Sequence, residues 1–471
     1  MKRVGRKFGC WFRGSCLLVV LGTAAAPAFV QETATEFHAV GDFDGDGRND
    51  VVLVDKASGG YRIGYQLSPG DYTWADTRAS GVQNVTGVSV GRLLAATRDA
   101  LAVTGPEANR VNLLEASSPS AAGLPVAVFI PSLGPNLVAA VDIGGVGNTP
   151  LHDLFVGSMY NGAAAYRYST VRNTDGLNFN LLNDAGVTAL MQRANRVSLK
   201  SGTPDRVGVI FRGTTDIFRA YDLSSGTPIQ NIIQNLPAGS EYAVGRFASG
   251  NPLSQFLFYQ PGSPQLVRHQ VQEPAPGTFN LAAGTAFHLG QKIQQVRVVS
   301  GAAAPRLLVI FGSGEIAAVY DFDGVNPPVL LQSFMPSEGE LFSGAAVLDG
   351  GHFMLYSGAP GAGVSAQFQI WNFNGVNFTA GAAGALPFLS QQSATGNVLL
   401  FRNEPFVHSN PGLVRVLNAG DWASTLAYTG SPPVVTVWAE HYAGPTQGLG
   451  NPSDGDGRQS APGQLRFGQP V

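Results

Sequence analysis

The chain is 471 residues long and has two cysteines, Cys10 and Cys16, both within its first 28 residues. Past that point there is none, which excludes a disulfide framework and leaves the apolar core and any bound metal to hold the fold. Charge is also scarce, at 13% of residues. Beyond residue 28 there are 24 basic against 32 acidic residues, a balance of −8 with His neutral. With no Lys/Arg cluster, this excludes an electrostatic footprint for nucleic acid or an anionic membrane. No apolar run after residue 28 reaches the eighteen or so residues of a spanning helix. Motifs of chemistry are missing too: there is no HExxH, Walker loop or GxGxxG after a strand. A Ser/His/Asp triad needs no proximity in sequence, so it is not excluded on that ground.

What is abundant is glycine, 60 residues, with 30 prolines and 44% apolar residues broken into short runs. That composition describes many short strands and tight turns rather than long amphipathic helices. The first 28 residues read as a signal peptide. Lys2, Arg3, Arg6, Lys7 and Arg13 form a basic head, an apolar stretch begins at Leu17–Leu21, and Ala26-Pro27-Ala28 offers a small-x-small cleavage site. The expectation is an exported protein, secreted or placed at a bacterial surface or periplasm.

Internal repetition organises the rest. Segments with an entering strand, a loop and an apolar strand begin at Ala39, Val88, Ala139, Val197, Tyr242, Val296 and Ser343. A second, independent marker is a turn ending in glycine later in each unit: Gly70, Gly123, Gly176, Gly226, Gly277, Gly324 and Gly375, spaced 47 to 53 residues apart. A period near fifty with four short strands per unit is the size of a propeller blade. The expected fold is therefore all-β: a β-propeller of seven four-stranded blades over 37–389, with a small C-terminal β-module or eighth blade at 390–450 and a tail at 451–471.

One stretch stands apart, DFDGDGRNDVVLVD from Asp42 to Asp55. Asp42, Asp44, Asp46 and Asp50 occupy loop positions one, three, five and nine, with Gly47 at six, where a loop wrapping a cation turns sharply. A hard divalent ion takes six to eight oxygens at about 2.3–2.6 Å, which alternate carboxylates and one backbone carbonyl, here that of Arg48, supply from one short loop. An EF-hand would place a bidentate Glu at position twelve and a helix behind it. Position twelve here is Leu53 and the continuation is a β-branched strand. The loop and its strand resemble the FG-GAP/VCBS repeat of integrin-α-type β-propellers. The resemblance implies a Ca2+ site at a blade edge and a non-catalytic binding or adhesion module for an extracellular glycan or protein; the expectation beside it is a monomer without membrane insertion.

Only the first unit keeps the whole loop. The third retains Asp142, Asn148 and Asp153, a candidate weak site. DGDGR recurs at Asp454–Arg458 but with Pro452 and Ser460 where the flanking acids would be. Asp321 and Asp323 read as turn formers. The alternative function is a secreted polysaccharide hydrolase or lyase, which would need acids such as Asp205, Glu241, Glu315 and Asp349 to converge in the channel. Tyr61, Tyr65, Tyr72, Trp74, Tyr160, Tyr166 and Tyr168 read as blade packing, or as a carbohydrate platform if exposed.

Overall fold

The computed structural model describes residues 30–385 apart from 33–35, 49, 69–70, 108, 116–124, 132–133, 144–148, 160–165, 188, 190, 204–205, 224–228, 300–304, 350 and 359–366. Beyond 385 it describes the strands 398–400, 412–417, 422–429, 434–441 and 469–470. The signal segment, the DGDGR recurrence at Asp454, Asn148, Asp205 and Tyr160 lie outside the described residues.

Each repeat folds into an antiparallel meander. The first sheet comprises β1 (Val30–Glu32), β2 (Glu36–Gly41), β3 (Asp50–Asp55), β4 (Gly60–Ser68) and β5 (Asp71–Trp74), with β6 (Arg78–Ala79) also pairing with β4. The second comprises β7 (Gly87–Ala95), β8 (Arg98–Thr104), β9 (Arg110–Leu114) and β10 (Val126–Phe129). Five more sheets follow in the same manner to residue 385, and an eighth is built from the strands after 397.

The corresponding strands of successive sheets touch: β2 meets β7, β7 meets Pro135–Val141, and that strand meets Met191–Val197. Further on, Glu241–Gly245 meets Ile293–Val299, which meets Leu341–Asp349. The apolar clusters lie between successive sheets, as where Val52, Val54 and Ile63 of the first pack with Val88, Leu101 and Val103 of the second. Sheets packed face to face with these strands innermost make this an all-β propeller.

This packing explains the runs read from the sequence. A strand second from the centre is covered on both faces, so it is apolar throughout rather than alternating. β3, Arg206–Phe211 and Gln255–Tyr259 are buried at every position. Outer strands such as Phe179–Val187 have no buried position. The turn glycines Gly176, Gly277, Gly324 and Gly375 all have positive φ, the conformation that selects glycine there. Asp323 is a turn former, accepting the amides of Val325 and Asn326 at 2.8 Å each. Asp321 instead ends a strand, and its carboxylate takes Arg306 Nε at 2.8 Å, because the cross-strand neighbour is a cation.

Successive sheets are also tied by paired hydrogen bonds near the start of each loop. The Asp42 amide donates to Asp99 Oδ2 at 2.9 Å, and the Asp99 amide donates to the Asp42 carbonyl at 2.7 Å. One sheet further on, the Arg92 amide donates to His152 Nδ1 at 3.0 Å and the His152 amide to the Arg92 carbonyl at 2.7 Å. His152→Ala leaves the Arg92 amide without its acceptor and is expected to cost about 1 kcal/mol in a denaturant titration.

Candidate metal centre

The loop between β2 and β3 is shaped by its own acids before any ion is considered. Asp42 accepts the amides of Gly45 at 2.8 Å and Gly47 at 3.0 Å, one on each carboxylate oxygen. Gly45 and Gly47 have φ of 81° and 83°, so the turn back over Asp42 needs glycine at both. Asp44 accepts the Asp46 amide at 3.1 Å. Each carboxylate oxygen has two lone pairs, so one amide per oxygen leaves a second acceptor position.

Asp50 enters from the other side, as the first residue of β3. It is fully buried, and its two oxygens accept the amides of Phe43 and Gln66 at 2.9 Å each. It therefore staples the start of the loop to the strand beyond β3. Among the described residues no cation pairs with it. Burial pushes its carboxyl up to about 8, with the nearby Asp44 and Asp42 adding to the rise. Burial also raises Asp42 and Asp44, and brings Asp99 to about 6.

Asp42, Asp44 and Asp50 each present an oxygen, all within 4.8 Å of one another. Two ligands of one calcium ion, each at about 2.3–2.6 Å, stand no more than about 5 Å apart, so these three fit a single hard cation. Asp46 stands outside that group. Its carboxylate accepts the Arg48 amide at 2.8 Å and lies 3.1 Å from the Arg48 guanidinium. The same guanidinium donates to the carbonyls of Gln66 at 3.1 Å and Leu67 at 2.5 Å, clamping the loop against β4.

The third sheet shows what replaces a cation. Asp153, at the position matching Asp50, makes the same staple, accepting the amides of Ile143 at 3.1 Å and Asn173 at 2.7 Å. Here Arg172 lies 3.5 Å away, itself almost buried. Asp142 is exposed. In the fourth and sixth sheets the pair is reversed: Arg206 faces Asp222 at 2.8 Å and Arg306 faces Asp321 at 2.8 Å. The position opposite Asp50 across the ladder is Tyr65, which carries no positive charge.

Among the described residues the other candidate acids, Glu241 and Glu315, form no cluster of three with further acids or histidines. Glu241 pairs with Arg212 at 3.0 Å, and Glu315 accepts the Ser313 amide at 2.6 Å. The side chain of Asp349 lies outside the described residues. Tyr61, Tyr65, Trp74 and Tyr168 are buried in the core, so they serve packing and form no exposed platform. The staple and the paired amide contacts of Asp99 and His152 escape sequence reading, since partners 57 and 60 residues away are fixed by sheet stacking.

No protein-family model matches the chain, and no curated protein matches it. Among solved structures, Saccharomyces cerevisiae Sqt1 is 8% identical with a TM-score of 0.48, over 84% of this chain and 96% of that one. The Pseudomonas aeruginosa periplasmic gluconolactonase PpgL is 13% identical with a TM-score of 0.40, over 76% and 97%. Kluyveromyces lactis Hsv2 is 10% identical with a TM-score of 0.39, over 73% and 93%. Likenesses this distant transfer no activity to this chain.

Proposed function

We propose that the chain is an exported β-propeller whose first sheet holds one calcium ion, and that it acts outside the cytoplasm as a non-catalytic binding module for a glycan or protein. The observation that carries the calcium reading is Asp50: a fully buried carboxylate, facing Asp42 and Asp44, with no guanidinium at the cross-strand position where the third sheet supplies Arg172. An uncompensated buried charge is costly, and a divalent cation offsets it as Arg172 does for Asp153. Asp42, Asp44 and Asp50 would supply carboxylate oxygens, with Asp46 and the Arg48 carbonyl as the loop's remaining donors. Calcium there would neutralise the acids and fix the entry to β3, with no part in a reaction. A binding role is favoured over hydrolysis because Glu241 and Glu315 are engaged locally.

The reading predicts a melting temperature that depends on calcium. At a free concentration about 100 times Kd the ion adds about 2.7 kcal/mol, and excess chelator removes it. Melts in calcium and in chelator that superimpose would contradict it.

A further inference from the structure

At the end of the first sheet opposite the metal loop lies a cleft of about 420 Å³ between the first and second sheets. Its lining includes Ser58, Gly81, Gln83, Gly105, Glu107 and Arg110. The six residues of β3 separate it from the loop, about 20 Å of extended chain.

The walls are fixed by backbone. The Asn84 and Val85 amides donate to the carbonyls of Ala57 at 3.1 Å and Lys56 at 2.6 Å. A Cβ on Gly59 would stand 1.6 Å from the Val82 carbonyl oxygen, so side chains are excluded where these segments cross. Asn84 is the one non-glycine residue with positive φ, 50°, among the described residues. From that conformation its Nδ2 donates to Glu107 Oε1 at 2.5 Å, holding the carboxylate at the mouth.

The two charges in the cleft have no ion-pair partner among the described residues. Arg110 is anchored by a 3.3 Å bond from Nη2 to the Gly81 carbonyl, and its Nε is buried with no hydrogen-bond partner. With Nε buried, Nη1 and the second hydrogen of Nη2 are the two N–H donors left to take a carboxylate. Glu107 accepts only, so it calls for hydroxyl donors and disfavours a dianionic phosphate beside it. Gln83, exposed on the same wall, offers both a donor and an acceptor. No aromatic ring lines the cleft, which removes the stacking surface a neutral sugar ring would use.

We infer that this cleft binds a hydroxylated carboxylate, the chemistry of a uronic acid unit, with the carboxylate on Arg110 and ring hydroxyls on Glu107 and Gln83. The volume suits a ligand of one or two sugar units. This deepens the reading of the chain as a binding module and is independent of the calcium loop.

The test is calorimetric titration of the full chain with galacturonate, galacturonate methyl ester and acetate. Galacturonate is expected to bind saturably, the ester and acetate each at least ~10-fold more weakly, since one lacks the charge and the other the hydroxyls. Arg110→Gln is expected to weaken galacturonate ~10-fold or more, and Gln83→Ala, at an exposed position, to weaken it with an unchanged melting temperature. Equal binding of acid and ester, an affinity untouched in both variants, or no saturable binding would overturn the site. A silent cleft beside a loop that binds calcium removes this inference alone; a loop that ignores calcium beside a cleft that binds galacturonate removes the calcium reading alone.

Discussion

Replacing Asp50 by alanine is expected to cost about 3–4 kcal/mol in saturating calcium, because it strands two buried amides, those of Phe43 and Gln66, and removes a ligand. Denaturant titration in calcium and in chelator separates the two losses. The stranded amides act in both conditions, whereas the loss of a ligand acts only with the ion. Asp50→Asn tests the charge itself. Its folded pKa of about 8 lies above the ordinary carboxylate value, as does that of Asp99 at about 6. Without calcium, the folded state therefore keeps protons that the unfolded chain releases. Stability from these groups is full below about pH 4 and is lost as pH rises through about 6 and then about 8, at up to ~1.4 kcal/mol per unit for each proton. Melts in chelator should fall over that window in the wild type and fall less in Asp50→Asn. Calcium binds the ionised form and opposes the fall.

Arg172→Met is the second large effect, expected at about 3 kcal/mol near neutral pH. It leaves Asp153 buried with no cation, and breaking a buried pair costs more than the pair contributes. Burial already pushes the Asp153 carboxyl up, against the opposing pull of the Asn173 amide and Arg172. Without Arg172 it rises further, so the variant's deficit should shrink as pH is lowered and Asp153 takes a proton. A deficit independent of pH would mean that the guanidinium contributes packing alone. Denaturant titrations near pH 5 and pH 7 distinguish these outcomes.

These effects turn on features that differ in how readily the sequence shows them. The strands at Asp50–Asp55 and Arg306–Phe311 are visible as apolar runs because both faces are covered. Gly176, Gly324 and Gly375 mark turns because their positive φ excludes most side chains. The acids of the first loop are visible because their spacing is local. What escapes is whatever stacking decides. Asp153 reads as a degenerate ligand until the ladder register sets Arg172 across from it. Asp46 reads as an equal ligand until Arg48 draws its carboxylate aside. The Glu107–Arg110 cleft has no motif, since the first sheet, the second sheet and the segment between them all line it.

The central claim is that the Asp42–Asp50 loop holds a calcium ion which offsets the buried charge of Asp50. Calorimetric titration of calcium into the chelator-treated protein, beside Asp44→Ala, tests it most directly. Asp44 is exposed and its carboxylate accepts a single backbone amide, from Asp46, so that variant folds while losing a ligand. The account predicts saturable one-to-one binding in the wild type and a loss of at least ~10-fold in affinity in Asp44→Ala. No heat at millimolar calcium, or equal affinity in both proteins, would contradict it and leave Asp50 as a protonated staple.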